Sequence, residues 1–417
     1  MQIKNDKNIN MNASILKNTA INQKDECSNT LLHYAAEHAN VEIIKLLIES
    51  GADINAQNNN GDSVLMYAAY RDNWEVFKFL LKNGAAVNAH NDQGDTVLII
   101  ATDSNNVDIV KLLIKNGADI NTKNKEGITA LMRSSRGFTL ETIQILLKHG
   151  ADINAKNIYG ETALLYAALY SKFDIITYLL EHGADAHVKN KYGETVLITA
   201  AQNGHLETVK LLLENDADIN VKTNSGNTAL MYAARYFPLE TAKLFQENDT
   251  NAKNEAGNTI LVASPPRLTL EMVNLLLENG ADINAKNNDD YTALIFAALH
   301  SNLDAITCLL EHGADINVKT KDGDTALICA ADSNNLDMIK LLLEHGADVN
   351  AQNNFGDTAL ICAARSSNIE VVKLLLHHGA NAHAKNAVGC TVAMSAAQRG
   401  NFDIVTLILF THKDVIT

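Results

Sequence analysis

Gly150-Ala151-Asp152-Ile153-Asn154-Ala155-Lys156-Asn157-Ile158-Tyr159-Gly160-Glu161-Thr162-Ala163-Leu164 is the stretch from which the fold can be read, because its phrase keeps returning. It stands again at Asn88 to Leu98, Asn121 to Leu131 and Asn317 to Leu327, each time with a Gly two residues before a Thr. That Thr, or a Ser in its place, falls at Thr30, Ser63, Thr96, Thr129, Thr162, Thr195, Thr228, Thr259, Thr292, Thr325, Thr358 and Thr391. The interval is 33 residues throughout, except between Thr228 and Thr259, where it is 31. Recurrence at one such period marks a stacked-repeat protein, in which each unit has too little apolar surface to fold alone and shares a core with its neighbours.

Within one unit, Asn157 to Glu161 fits a loop tip and Thr162 to Ala168 opens a first helix. Phe173 to His182 fits a second helix, which Gly183-Ala184-Asp185 ends. A Gly closing a Leu-rich run is a C-cap, and a Gly one turn before a helix permits a backbone angle that other residues resist. The phrase resembles the ankyrin repeat over about residues 25 to 417. That resemblance implies an all-α fold, an α-solenoid of stacked helix-turn-helix repeats with loop fingers. The repeats run 25–57, 58–90, 91–123, 124–156, 157–189, 190–222, 223–253, 254–286, 287–319, 320–352, 353–385 and 386–417. Residues 1–24 form a polar N-terminal tail with a vestigial half-repeat.

Small residues recur where helices must touch, with Ala five after the ruler Thr or Ser at Ala35, Ala68, Ala101, Ala167, Ala200 and onward. Ten after it stands Asn or Thr in most units (Asn40, Asn73, Asn106, Thr139, Asn302), expected to N-cap the second helix, with an acid two further on to meet the helix dipole. The Pro that usually follows the ruler in the family is absent, and the His two beyond that place survives only as His33. Between repeats seven and eight the finger is two residues short and Pro265-Pro266 interrupts a first helix, so a candidate hinge lies at 249–266. The last repeat places Phe410 where the others carry a charged residue or His.

The chain has 417 residues and a net charge of -15, from 49 acidic and 34 basic residues. Such a surface repels nucleic-acid backbones and acidic lipid headgroups, so neither nucleic acid nor membrane is an expected partner, whereas a protein with a basic surface is. Residues 1–24 lack the apolar stretch of a secretory signal, and Val405 to Phe410 is too short to span a bilayer. A cytoplasmic protein is the default expectation, with export by a dedicated bacterial secretion system left open. Cys27, Cys308, Cys329, Cys362 and Cys390 form no CxxC pair and read as reduced thiols. His149, His182, His312 and His345 precede the Gly that ends a second helix, where imidazole meets exposed carbonyls. No Gly-rich phosphate loop or nucleophile elbow appears. No catalytic residue, cofactor or metal is expected, and the chain reads as a non-enzyme.

Recognition remains. In proteins of the family this chain resembles, finger tips and the inner face of the first helices contact the partner. The expected function is therefore a non-enzymatic protein–protein interaction scaffold, binding a protein through its finger tips and concave inner-helix face. Two alternatives use the same surface: an effector delivered by an intracellular bacterium into a host cell, and a regulatory inhibitor occluding an enzyme. Interface anchors are enriched in Tyr, Trp and Arg. The partner-binding candidates are accordingly Tyr70, Arg71, Tyr159, Tyr170, Tyr192, Tyr236 and Phe355. A basic row six before the ruler, from Lys123 and Lys156 to Lys319 and Lys385, reads as a charge-balanced ladder rather than an anion track. A monomer is expected.

Overall fold

The computed structural model describes residues 21–71, 73–103, 106–137, 139–234, 266–366 and 368–410. Apart from Pro266, the candidate hinge at 249–266 lies outside the described residues, as do Tyr236, the tail as far as residue 20 and the side chain of Phe410. Two compact units divide the chain, Met1–Lys191 and Tyr192–Thr417. In the first, helices pair as Leu31–Glu37 (α1) with Val41–Glu49 (α2), Val64–Tyr70 (α3) with Trp74–Lys82 (α4), Val97–Ala101 (α5) with Val107–Lys115 (α6), Ala130–Ser134 (α7) with Leu140–Lys148 (α8), and Ala163–Leu169 (α9) with Phe173–Glu181 (α10).

The second unit continues with Val196–Gln202 (α11) and Leu206–Glu214 (α12), Ala229–Ala234 (α13) and Pro266–Glu278 (α14), Ala293–Leu299 (α15) and Leu303–Glu311 (α16), Ala326–Asp332 (α17) and Leu336–Glu344 (α18), Ala359–Ser366 (α19) and Ile369–His377 (α20), and Val392–Gln398 (α21) and Phe402–Phe410 (α22). Every described element is an α-helix, so the all-α solenoid expected from the repeated phrase is the fold. The fingers add only isolated bridges such as Gln57 with Ser63 and His90 with Thr96.

The ruler hydroxyl starts the first helices. Ser63 Oγ accepts the Met66 N–H at 3.3 Å, and Thr96, Thr129 and Thr325 accept from Ile99, Met132 and Ile328 at the same distance. Such a cap is worth about 1 kcal/mol and starts the helix without the missing Pro. In the first repeat His33 adds a second anchor. Its Nδ1 accepts the Thr30 N–H at 3.1 Å, so the ring proton sits on Nε2, which donates to the Asp62 carbonyl at 3.2 Å. Burial holds the His33 pKa below its ordinary value.

At the second helices the expected N-caps hold for Asn40, Asn106, Asn302, Asn335 and Asn368, whose side chains accept first-turn N–H groups. Asn73 and Thr139 depart from that expectation, as neither side chain makes a cap bond. The Asn73 amide instead donates across the joint to the Ala36 carbonyl at 2.8 Å, and the Thr139 hydroxyl lies 3.3 Å from that of Thr142. His149, His182, His312 and His345 each turn Nδ1 onto the carbonyl four residues back, at 2.8–2.9 Å, the capping place read from the sequence. The following Gly takes the left-handed angle, with φ +88° at Gly150.

Within each unit the first helices pack side by side, α1 on α3 through to α9 and α11 on α13 through to α21, with the second helices in a parallel row behind them. The Ala five after the ruler lies in these joints: Ala68, Ala101, Ala167, Ala200, Ala297 and Ala330 are fully buried. Missing side-chain bulk lets the first helices approach, while Phe77, Leu80, Leu113 and Leu146 fill the space from the second row. A fully buried side chain of this size contributes roughly 1.5–3 kcal/mol. Cys329 and Cys362 are buried on α17 and α19, and burial pushes both thiols up to about 12, so they remain protonated and inert.

The irregular interval after Thr228 has a counterpart in the second unit. A backbone rung links neighbouring fingers, as when the Asn354 N–H donates to the Asp322 carbonyl at 2.8 Å. The Ser225 carbonyl accepts instead from Asn288, at 2.9 Å. The side-chain rungs agree: Asn220 Oδ1 accepts the Asp282 N–H at 2.7 Å, and Asn287 Nδ2 and Lys222 Nζ donate to Asn227 Oδ1 and the Lys286 carbonyl, each at 2.8 Å. These bonds join residues 60–64 apart, where the same rungs elsewhere join residues 29–33 apart. Consistently, α13 and α14 pack against each other as one helix pair and together meet α15 and α16.

Candidate partner-binding surface

The backbone of each finger is committed to its own repeat and to its neighbour. Asn58 Oδ1 accepts the N–H groups of Asn60 and Asp62 at 2.9 Å, and Asn157 does the same for Tyr159 and Glu161. The amide of the equivalent Asn reaches back one repeat: Asn91 donates to Asp62 at 3.0 Å and Asn124 to Asp95 at 2.7 Å, and in the second unit Asn353 donates to Asp324 at 2.8 Å. At the finger base Asn121 Oδ1 accepts the Asp152 N–H at 2.8 Å while its Nδ2 donates to the Gly150 carbonyl at 2.9 Å. The basic row is drawn into the same framework, with Lys123 Nζ donating to the Lys156 carbonyl at 3.0 Å and Lys319 Nζ to the Gln352 carbonyl at 2.8 Å. Those ammonium groups stitch repeats together, which favours the ladder over the anion track. What the fingers leave for a partner is the side chains at their tips.

In the first unit Tyr70 closes α3 half in solvent, and its hydroxyl donates to Asp62 Oδ1 at 3.4 Å. Burial, then the Asp62 charge, pushes its pKa up to about 12. Arg71, next in sequence, pairs with Glu37 of the preceding repeat. Further along, Arg133 on α7 lies 3.4 Å from Asp95 and 3.5 Å from Asp103, with its Nε buried and without a partner. Burial raises the Asp103 pKa against the opposing pull of Arg133 and Arg136. Arg136 stands 4.9 Å from the Tyr170 ring centre, and Lys191 Nζ lies 4.0 Å over the Tyr159 ring. Two of the four candidates in this unit therefore present a ring already engaged by a cation.

In the second unit Tyr192 and Phe355 stand at finger tips, 53% and 63% exposed. Their carbonyls accept the N–H groups of Asn224 and Ala387 at 2.9 and 2.8 Å, so the backbone is fixed while the ring is displayed. Below Phe355, Arg365 of α19 pairs with Asp357 at 2.5 Å, and that contact raises the Arg365 pKa further. The structure adds two apolar tip residues that a search for aromatics passes over, Ile158 and Val388, both exposed. Their signal in the sequence is positional: the places three and four before the ruler are otherwise mostly polar, as at Asn60, Gln93, Glu126, Ser225, Asp289 and Asp322.

Among the described residues no three His, Cys, Asp or Glu side chains are grouped to hold a metal ion, and no helix is long and apolar enough to cross a membrane. The family model described as "Ankyrin repeats (3 copies)" matches residues 3–58, 32–124, 98–190, 174–256, 260–353 and 347–417. No curated protein matches the chain.

Proposed function

Since the chain belongs to the ankyrin-repeat family, whose repeats generally mediate protein–protein interactions, we propose that it is a non-enzymatic scaffold that binds a protein with a basic surface through its finger tips and inner helices. The observation that carries this reading is the display of large apolar side chains on fingers whose backbone is hydrogen-bonded to neighbours. Ile158, Tyr192 and Phe355 are exposed at places where a side chain contributes little to the stack, and rigid aromatic anchors lose little entropy on binding. The net charge of -15 supports a cationic partner, since complementary charge speeds encounter and disfavours other proteins.

The test is a comparative pull-down. Wild-type protein and a Tyr159→Ala, Tyr192→Ala, Phe355→Ala variant are presented to lysates of native and candidate host cells, and captured proteins are identified by mass spectrometry. A specific partner should be retained by the wild type and lost by the variant, whose circular dichroism stays that of the parent. Hot-spot truncations cost about 2 kcal/mol or more. A partner bound by both within about 0.5 kcal/mol would remove these tips from the interface.

A further inference from the structure

The first and last described repeats expose faces that every other described repeat buries. Leu31, one after the ruler, is 53% exposed, whereas the residue at that place from Val64 to Val392 is at most 1% exposed. Met394, three after the ruler, is 56% exposed, whereas its counterparts from His33 to Ile361 are at most 3% exposed. Ala397 beside it is also exposed, while Ala364 and Ala331 at the same place are buried completely. Finger glycines tell the same story. A Cβ on Gly356 would meet backbone atoms of Asn386 and Ala387 at 2.6–2.9 Å, but one on Gly389 would meet nothing within 4 Å.

We infer that these two faces bind each other in different copies of the chain, so that the protein associates head to tail. Continuity with the joint between repeats is the first argument. Val388, Gly389, Cys390, Met394 and Ala397 line an open recess of ≈ 730 Å³ on this trailing face. The backbone rung has its two halves on the two faces as well. In the array the carbonyl three before one ruler accepts the N–H four before the next, at 2.8–3.0 Å. Val388 carries that carbonyl on the trailing face, and Glu26 carries that N–H on the leading face. Charge is the second argument. Residues 385–400 contain Lys385 and Arg399 and no acid, while the leading finger carries Asp25 and Glu26. On a chain of net charge -15 this is an end where another copy can approach without like-charge repulsion. The contact is heterologous, so it forms dimers and then longer head-to-tail assemblies. This departs from the monomer expected from the sequence.

Sedimentation velocity of the full chain, from micromolar to near-millimolar concentration, tests the pairing. Wild type should grow in mass beyond a dimer. Leu31→Glu and Met394→Glu should each be monomeric at every concentration, with melting curves like the parent because both sites are exposed. Mixed in equal amounts they should form a dimer and nothing larger, since each supplies the face that the other lacks; Val388→Asp should substitute for Met394→Glu. A wild type that stays monomeric, a Leu31→Glu variant that still dimerises through two trailing faces, or an equal mixture that stays monomeric would each overturn the inference.

Discussion

Gly226→Ala should lower stability by about 2–4 kcal/mol, against about 1–2 kcal/mol for Gly389→Ala. Both glycines have φ +81°, so an alanine at either place carries the same left-handed strain. Their surroundings differ. A Cβ on Gly226 would lie 2.6 Å from Asn288 N, 2.7 Å from its Oδ1 and 2.8 Å from Asn287 Cα, whereas one on Gly389 would meet open space. Two of those three atoms are backbone, held by the rungs from Ser225 and Asn227, so they cannot swing away. Relieving the overlap requires the fingers to part and adds roughly 1–3 kcal/mol to the strain. Denaturant melts of the two variants beside wild type measure the difference; equal losses would mean that the finger of Gly226 does not rest on residues 287 and 288.

Phe77→Ala should be the most damaging single truncation among the described side chains, at about 3–5 kcal/mol. Phe77 is completely buried on α4, where its ring fills the space behind the alanine-lined joint of α3 with its neighbours. Stability in a stack is a sum of repeats and nearest-neighbour joints, so the loss should be local. Hydrogen exchange should quicken in α3 to α6 first. Phe355→Ala supplies the contrast, because that ring is exposed at a finger tip and its removal should change stability by less than about 0.5 kcal/mol. Comparable losses at the two places would make Phe355 a core residue and weaken its assignment to recognition.

Most of the fold was legible in the repeated phrase. The ruler residue, the Gly before it and the Leu-rich run ending in Gly each demand a backbone state, and the helices follow those demands; so do the Ala positions in the joints and the His caps. The Asn spine was not legible, because Asn is a good N-cap, a good turn former and a good cross-repeat donor alike. Only the structure tells which of these Asn73 or Asn121 performs. At the candidate surface Tyr192 and Phe355 prove to be displayed on fixed fingers. Tyr159 and Tyr170 carry cations on their rings, a pairing set by Lys191 and Arg136 that no local pattern announces. Ile158 and Val388 escaped because apolar side chains usually signal core, and burial depends on what the next repeat covers.

The register of the second unit was hidden for a related reason. Thr259 and its flanking residues preserve the phrase, so the sequence presents them as one more repeat, whereas the described residues close the stack from Ser225 to Asn288. Thr228 and Thr292 are 64 residues apart, and removing the 31 residues from 235 to 265 would restore the common interval of 33. It would also bring Thr269 to the N-cap place ten after the ruler. Thermal and denaturant unfolding of the chain with residues 235–265 excised is the direct measurement. The excised protein should fold with the helicity of the parent's described helices apart from the first turn of α14, because Ala234 then joins Pro266 directly and residues 266–268 must make the turn. Its stability should stay within about 1 kcal/mol of the parent. A loss of more than about 3 kcal/mol, or the loss of a cooperative transition, would instead give residues 235–265 a place in the stack and break the register drawn from Ser225 to Asn288.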